Sequence, residues 1–408
     1  MPRSRLIFFV IIGAAILVVI VVLGIAPKLT ELNTSQSATA TAQYAKDNIT
    51  TIRVVYGTEK ERWFRDAIAR FTAANPDIKI DPVGQGSMDT YQALSLVTDS
   101  STSLANNQPI PAVWSPAAMI QVNLLNAASK NSVNRDLAIN CKPLVVSPLV
   151  IMVWGDRAQA FENYYKDKGG ITYDNLYDAL HSSTINGSWS AIGGQSKWGL
   201  IKIGHTDPQT SNSGVMDLLA MANNYYKRTT PVKVNDITSP DFVNWMATIE
   251  KAVTTPLISS TGTFVNDVIV KGPASYDFVI AYEALAIENY NNAVGKQGQP
   301  LRIVYPPYNL YSDHPLCIID HPSVTQKQRD AATKFQDFLL SADIQRLALT
   351  YGFRPADPTI PTFGAGSDFD KADFKQAGIG PDIGQTFQIP DGAAILQLLQ
   401  VWKRNFNP

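Results

Sequence analysis

One stretch near the middle of the chain combines residue types that could bind a small ligand. It reads His205-Thr206-Asp207-Pro208-Gln209-Thr210-Ser211-Asn212-Ser213-Gly214. The pattern predicts an apolar strand at 198–203 before this loop and an amphipathic helix at 215–226 after it. Because the first N–H groups of a helix lack intrahelical partners and carry partial positive charge, such a corner suits a phosphate, another oxyanion or a carboxylate. Ordinary helix capping by Ser and Asn explains the same pattern, so both interpretations stay open at this point.

Three earlier strands are also predicted to end in loops rich in Gly, Ser and Thr. Each loop leads into a helical pattern, so strands and helices alternate. Such alternation predicts a mostly parallel sheet, whose ligands bind outside the carboxyl ends of the strands. We therefore expect the polar side chains of the three loops to meet at one rim. The strands are 51–56, 78–83 and 112–114, and the side chains are those of Thr58, Ser87 and Ser115.

Metal binding and catalysis find little support in the residue spacing. His205 and His314 each lie near an aspartate, but neither belongs to a metal-binding spacing such as His-Glu-x-x-His. The acidic run 368–373 lacks the glycine and one of the acids of a calcium loop. We found neither a Gly-x-Ser-x-Gly nucleophile elbow nor a Gly-x-x-x-x-Gly-Lys-Ser/Thr phosphate loop. We therefore predict a protein that is not an enzyme, with no metal and no cofactor.

The amino-acid composition bounds the number of domains and the kinds of binding partner. The chain has 408 residues, 45% hydrophobic and 17% charged, which is enough for more than one domain with a core of its own. With 34 Lys+Arg against 35 Asp+Glu and no basic block, nucleic acid is not an expected partner. The two cysteines, Cys141 and Cys317, could pair in an oxidising exterior, although two thiols do not establish a disulfide framework. Both the paired and the free state stay open.

The N-terminal segment predicts attachment to a membrane. Arg3 and Arg5 precede an apolar run at 6–26, which as a helix of about 1.5 Å per residue would span a hydrocarbon core of about 30 Å. A cleaved signal peptide is the alternative, but its apolar part is usually only about 7–15 residues long. The two arginines would keep 1–5 in the cytoplasm and place the globular part outside the cell. Residues 27–48 are small and polar, which is typical of a flexible linker.

Further along, strands and helices continue to alternate. The apolar run 141–154 is interrupted by Pro148 and is interpreted as a strand that changes partners. A second α/β region is the simplest account of 156–305. Helices are predicted at 326–341 and 393–402, where apolar residues recur at helical spacing.

Several motifs resemble those of the extracellular solute-binding proteins of ABC transporters, which have a type II periplasmic-binding-protein-like fold. The likeness is greatest to the subgroup related to proteins with a von Willebrand A domain, and more distant to molybdate binders. The motifs span about 52–356, nearly the whole globular part. They are Tyr56-Gly57-Thr58-Glu59-Lys60-Glu61, Trp114-Ser115-Pro116, Gly204 to Pro208 with Ser211 to Gly214, Tyr305-Pro306-Pro307, Asp313-His314-Pro315, and Phe338 to Pro355.

The resemblance implies an α/β fold of two lobes joined by two crossover strands that act as a hinge. Lobe one would comprise 49–150 and 311–408, including the C-terminal helices, and lobe two would comprise 151–310. Residues carried over by position imply a ligand site between the lobes, although Trp114 could be core and the two glutamates solvated helix residues. The implied ligand residues are Thr58, Glu59, Ser87, Trp114 and Ser115 in lobe one, Ser211, Ser213, Tyr282 and Glu283 in lobe two, and Tyr308 near the hinge.

The function implied is that of a solute receptor anchored in the cell membrane by a single N-terminal helix. It would capture a small polar or anionic solute outside the cell and deliver it to an ABC permease. Hydroxyl groups and a helix N-terminus favour an oxyanion, whereas the aromatic residues of the site would suit stacking on a sugar. The alternative is a membrane-anchored sensor or adhesion module that uses the same fold to bind a partner protein.

Overall fold

The computed structural model describes residues 49–406. The predicted membrane segment at 6–26 and the linker at 27–48 lie outside the described residues. Within 49–406, no helix is both long enough and apolar enough to cross a membrane.

Strands and helices alternate through most of 49–406, as the sequence predicts. The strands are β1 (Thr50–Tyr56), β2 (Ile78–Gly84), β3 (Val113–Ser115), β4 (Ala138–Pro143), β5 (Val145–Trp154), β6 (Ile203–Gly204), β7 (Phe278–Tyr282), β8 (Leu301–Val304), β9 (Tyr308–Asn309), β10 (Tyr311–Ser312), β11 (Pro315–Ile319), β12 (Arg354–Pro355) and β13 (Gln385–Thr386). The helices are α1 (Glu61–Ala74), α2 (Ser87–Ser95), α3 (Met119–Ser132), α4 (Gly155–Tyr164), α5 (Tyr173–His181), α6 (Asn212–Tyr226), α7 (Val234–Ile237), α8 (Pro240–Glu250), α9 (Thr261–Lys271), α10 (Glu283–Gln297), α11 (Gln326–Leu339), α12 (Ala342–Leu349), α13 (Ala372–Ala377) and α14 (Gly392–Phe406).

The first sheet has the strand order β2-β1-β3-β11-β4. β1 and β3 run parallel, with Val55 opposite Trp114, so their carboxyl ends lie at the same edge. β11 is antiparallel to both β3 and β4. A disulfide joins Cys141 on β4 to Cys317 on β11, across a sequence separation of 176 residues. The sheet is therefore built from two distant parts of the chain, and the disulfide links them covalently.

The second sheet is organised around β5, which changes partners along its length. Its first half pairs with β12 and with β10, where Pro148 lies opposite Tyr311. From Leu149 onward it pairs with β7 and β8. The switch at Pro148 and Leu149 confirms the interpretation of 141–154 as a strand that changes partners, although the run is split at Leu144 into β4 and β5.

The segment after β12 packs along the second sheet. Arg354 Nη2 donates to the Gly380 carbonyl at 2.8 Å, and β13 runs parallel to β9. Helix α14 buries one apolar face, with Leu398 and Trp402 at most 1% exposed, in the same core as the residues of α6. Residues 356–406 thus complete the core of the second sheet.

Candidate ligand-binding site

Loops from the carboxyl ends of the two sheets meet directly. Backbone N–H groups of Met88 and Asp89, at the start of α2, both donate to the Thr210 carbonyl, at 3.1 and 3.2 Å. One turn further on, Gln92 Nε2 donates to the Gln209 carbonyl at 2.8 Å. The glycine loop after β2 therefore lies against loop 205–214, the stretch that the sequence singles out as the strongest candidate for binding.

Two glycines allow this contact to be made by backbone atoms. A Cβ atom on Gly86 would lie 2.6 Å from the Ser259 carbonyl oxygen and closer still to that of Thr210, inside van der Waals contact. A Cβ on Gly262 would overlap the Thr58 carbonyl in the same way. Instead, the Gly262 N–H donates to Thr58 Oγ1 at 3.0 Å. Any larger residue at either position would force the facing loops apart.

Three helices begin at this meeting point: α2, α6 and α9. The Ser211 and Thr261 hydroxyls, at the starts of α6 and α9, lie 3.0 Å apart. None of the three N-cap residues, Gly86, Ser211 and Ser260, caps its own helix through a side chain. The facing loops supply partners for some of the first N–H groups, since Met88 and Asp89 of α2 donate to the Thr210 carbonyl and Gly262 of α9 donates to Thr58 Oγ1. Because helix N-termini carry partial positive charge, their convergence favours a polar or negatively charged group.

Buried hydroxyls form a chain behind these helix ends. The Ser213 hydroxyl lies 2.9 Å from that of Thr261 and 2.7 Å from that of Thr206. All three residues are at most 3% exposed. Because a hydroxyl both donates and accepts, such a chain can reorient its protons to suit a ligand at low cost.

Asn212 connects the two sheets through its side-chain amide. Its Nδ2 donates to the Tyr282 hydroxyl at 2.8 Å, and its Oδ1 accepts from Gln121 Nε2 on α3 at 2.6 Å. Burial raises the pKa of Tyr282, and the nearby negative charge of Glu59 raises it further. Tyr282 is therefore a neutral hydrogen-bonding group at physiological pH, and Asn212 fixes its orientation.

A buried charged group lies beside Tyr282 on the side of the first sheet. Lys60 Nζ donates to Glu59 Oε1 at 2.6 Å and to the Pro116 carbonyl at 3.1 Å. The same glutamate oxygen lies 3.2 Å from His314 Nδ1. Burial opposes ionisation of Glu59, but the Lys60 ammonium and the hydrogen bond with His314 outweigh it and hold the pKa of Glu59 at about 2. The glutamate is therefore a carboxylate at neutral pH, and its charge is matched by Lys60.

A second buried group supports loop 205–214 from within. His205 Nδ1 lies 2.7 Å from the Thr206 carbonyl, and Nε2 lies 3.3 Å from Glu250 Oε2. Because both neighbours are acceptors, the geometry calls for a doubly protonated imidazolium. Burial opposes this charge, yet Glu250 and then Asp217 outweigh it and raise the pKa of His205 to about 9. Asp217 itself accepts from the Tyr173 hydroxyl at 2.6 Å, and burial raises its pKa to about 6.

The structure brings half of the sequence-predicted ligand residues together. Thr58, Glu59, Ser211, Ser213 and Tyr282 all belong to the cluster described above. Their contacts join groups from both sheets, and each residue lies within one or two hydrogen bonds of another member. Whether they bind a ligand stays a prediction.

Three predicted residues on the first-sheet side have structural contacts. Ser87 Oγ accepts from the Ala117 N–H at 2.9 Å, and Ser115 Oγ donates to the Pro315 carbonyl at 2.8 Å. Trp114 is 1% exposed and packs within the core of the first sheet. Their partners occupy the polar atoms of the two serines, and the indole faces apolar neighbours.

Two further predicted residues, Glu283 and Tyr308, lie away from the cluster's hydrogen bonds. Glu283 is fully buried and pairs with Arg354, through two contacts of 2.7 Å, and with the Tyr305 hydroxyl. Tyr308 is half-buried in β9, where its backbone is bonded to the Asn224 side chain. The tyrosine also lines a surface cavity of about 260 Å³.

Sequence reasoning missed several members of the cluster. A signal existed for one of them, because Ser259-Ser260-Thr261-Gly262 precedes apolar positions just as Ser211 to Gly214 does. No local pattern marks Lys60 or Gln121, because each is identified only by a partner distant in sequence. The missed residues are Lys60, Gln121, Asn212, Thr261 and His314.

Solved structures of low sequence identity share this fold. The sulfate-binding protein SubI from Mycobacterium tuberculosis is 18% identical, with a TM-score of 0.50, and the match covers 86% of this chain and 96% of that protein. The ferric binding protein from Campylobacter jejuni is 12% identical, with a TM-score of 0.55, and the match covers 87% of this chain and 98% of that protein. The substrate binding protein of an ABC transporter from Agrobacterium tumefaciens is 14% identical, with a TM-score of 0.54, and the match covers 88% of this chain and 95% of that protein. The chain therefore has the two-lobed α/β fold of the periplasmic binding proteins.

The sequence places it in a family as well. The family model of the bacterial extracellular solute-binding proteins matches residues 52–354, about three quarters of the chain. No curated protein matches the sequence. This chain belongs to the bacterial extracellular solute-binding protein family.

Proposed function

We propose that this protein captures a small polar or anionic solute between its two lobes and delivers it to an ABC permease. The observation that carries the proposal is the meeting of loop 205–214 with the loops after β1 and β2. Hydroxyls, amides and three helix N-termini from both lobes converge there. Each lobe alone offers only part of these groups, so a bound solute favours the closed arrangement by its greater affinity for it.

The charges of the cluster support a neutral or anionic solute rather than a metal cation. The Glu59 carboxylate is already matched by the buried Lys60 ammonium at 2.6 Å. Most of the remaining groups are hydroxyls, amides and helix N-termini, which can solvate an anion. Two carboxylates, Asp89 and Asp207, lie near each other in the same loops, and burial and then the charge of Asp207 raise the pKa of Asp89 to about 6. An oxyanion is therefore the class of solute we favour.

Two crossings of the chain supply the hinge in this proposal. Lobe one comprises 49–150 and 311–355, and lobe two comprises 151–310 together with 356–406, which pack on the second sheet. β5 carries the first crossing, since its two halves pair with different strands on either side of Pro148. The return crossing runs through β9 and β10.

We also propose that residues 6–26 anchor the protein in the cell membrane, with the globular part outside. The apolar length of this run and the two arginines before it support the assignment. A tethered receptor would stay close to its permease, which raises its effective concentration there.

A distance measurement between the lobes tests closure. The disulfide occupies both native cysteines, so spin labels on Ser196→Cys and Lys334→Cys, two exposed positions in lobes two and one, would report the separation of the lobes in the full chain. The solutes to screen are sulfate, phosphate, molybdate, sugars and amino acids, first by thermal shift and then by this distance. We expect one class to raise the melting midpoint and to narrow the distance distribution. A solute that binds tightly without changing the distance would contradict closure.

Matched variants link the effect to the cluster. Asn212→Ala removes the amide that joins Gln121 to Tyr282 and is expected to weaken binding. Ser196→Ala changes an exposed residue and is the control. Equal solute affinity in the two variants would contradict the placement of the site.

A further inference from the structure

His314 occupies an unusual backbone position at the edge of the cluster. Its φ is +36°, a left-handed conformation that residues other than glycine rarely adopt. Backbone bonds hold it there: its N–H donates to the Ala117 carbonyl at 2.9 Å, and its carbonyl accepts from the Leu144 N–H at 3.3 Å. A strained position that neighbouring structure maintains in this way is a common property of functional sites.

The imidazole ring is fully buried between two aromatic rings. Its centroid lies 5.4 Å from that of Tyr282 and 5.1 Å from that of Phe353, both nearly perpendicular. Burial, together with the charge of Lys60, lowers the pKa of His314 to about 4. At physiological pH the ring is therefore neutral and carries a single N–H.

Glu59 decides which nitrogen carries that proton. A carboxylate can only accept hydrogen bonds, and its Oε1 lies 3.2 Å from Nδ1. The proton must therefore lie on Nδ1, which leaves Nε2 as an acceptor with a free lone pair. The carboxylate thus fixes the tautomer of the neutral ring.

The Nε2 acceptor is buried and, among residues 49–406, has no hydrogen-bond partner. A buried acceptor without a partner is destabilising, and a hydrogen-bond donor placed beside Nε2 would remove that cost. The ring packs edge-to-face against Tyr282 and is hydrogen-bonded to Glu59, two members of the cluster in which the solute is proposed to bind. A solute that carries a hydrogen-bond donor would supply the missing partner of His314 Nε2.

We infer that His314 Nε2 accepts a hydrogen bond from the bound solute, so that the receptor selects a small oxyanion that keeps a proton. This inference rests on the proposed function and names the class of solute for that site. Phosphate and arsenate carry an O–H at neutral pH, whereas sulfate, of similar size and shape, does not. Sulfate would leave the acceptor unsatisfied and place a negative oxygen against its lone pair.

A competition between phosphate and sulfate tests the inference. The full chain, purified free of both anions, is titrated with each by calorimetry at pH 7. We expect phosphate to bind at least about tenfold more tightly, since about 1.4 kcal/mol corresponds to a factor of ten. In His314→Asn, a residue that tolerates positive φ, the preference should fall to within about threefold. His181→Asn makes the same change at an exposed histidine and should leave the preference for phosphate over sulfate unchanged.

Nitrogen NMR gives a test that needs no variant. In protein labelled with ¹⁵N-histidine, the bare Nε2 of His314 should move upfield when phosphate is added and stay unchanged with sulfate. Binding of sulfate as tightly as phosphate would overturn the inference but leave the proposed function intact. Failure of both anions to bind would also overturn it, whereas only failure of the whole solute screen would overturn the proposed function.

Discussion

Arg354 and Glu283 form a buried two-point ion pair in which guanidinium Nε and Nη2 each lie 2.7 Å from a carboxylate oxygen. Glu283 is the first residue of α10, and Arg354 lies in β12, so the pair joins elements 71 residues apart. The pair holds the end of the family-matched region against the start of a helix. It accounts for the buried glutamate more simply than ligand binding does.

Removing the arginine should destabilise the protein strongly. Arg354→Leu leaves a fully buried carboxylate without its cation, and such losses cost about 3–5 kcal/mol. Urea denaturation should show a lower midpoint with an unchanged slope. Arg346→Leu is the control, because that arginine pairs with Asp343 on the exposed surface and should change stability by at most about 1 kcal/mol. Equal midpoints for the two variants would show that the buried pair is not important for stability.

Stability should fall as the pH rises from 6.5 to 9. Glu250 is the neighbour that raises the pKa of His205 from 6.5 to about 9, against the effect of burial. A raised folded-state pKa means that this stabilisation is complete below pH 6.5 and is lost as the pH passes 9. The measurement is the free energy of unfolding at pH 6, 7, 8 and 9. His205→Gln should flatten the profile, whereas His181→Gln should not; a flat profile in the wild type would contradict the assignment.

Gly86→Ala should hold the lobes apart. The wild-type φ of Gly86 is −57°, so alanine fits the backbone, and the atoms nearest to the added methyl group are the facing carbonyl groups of Thr210 and Ser259. We expect a longer inter-lobe distance between the spin labels and weaker solute binding, with little loss of folding stability. Gly295→Ala is the control, since nothing lies within 4 Å of its added Cβ and alanine favours a helix by about 1 kcal/mol. An unchanged distance in Gly86→Ala would contradict this account of closure.

Loss of the disulfide should lower stability without opening the site. Cys141 and Cys317 close a loop of 176 residues, and removing such a link typically costs about 2–5 kcal/mol. The double variant Cys141→Ala with Cys317→Ala should melt earlier than the oxidised wild type. Reduced wild type should resemble the variant. Solute affinity at a temperature well below both midpoints should stay the same, because neither Cys141 nor Cys317 supplies a side chain to the hydrogen bonds of the cluster.

Local pattern predicted much of the fold but less of the site. Pro148 predicted that β5 changes its pairing partners. The Ser and Asn residues of loop 205–214 predicted that this loop leads into a helix and could bind a ligand. The strand predicted at 198–203 is wrong in extent, since only Ile203 and Gly204 pair as a strand. Gly199 has a φ of +71° and Leu200 is 62% exposed, so a turn and solvent replace the expected strand.

The unpredicted part of the site depends on long-range pairing. Glu59 looks like a solvated helix residue until His314, 255 positions later, is placed beside it. Lys60 likewise reads as a surface residue, yet it is fully buried between Glu59 and the Pro116 carbonyl. Such partners are set by topology, and no periodicity within a single segment encodes them.

The C-terminal segment lies beyond the region matched by the family model but belongs to the core. The family model ends at residue 354, but α14 buries Leu398 and Trp402 in the core of the second sheet, and Asn309 donates to the Ile383 carbonyl at 3.0 Å. A protein trimmed to the matched region would expose a strip of core to water and would be prone to aggregate. The region matched by the family model is therefore shorter than the region that builds the core of the second sheet.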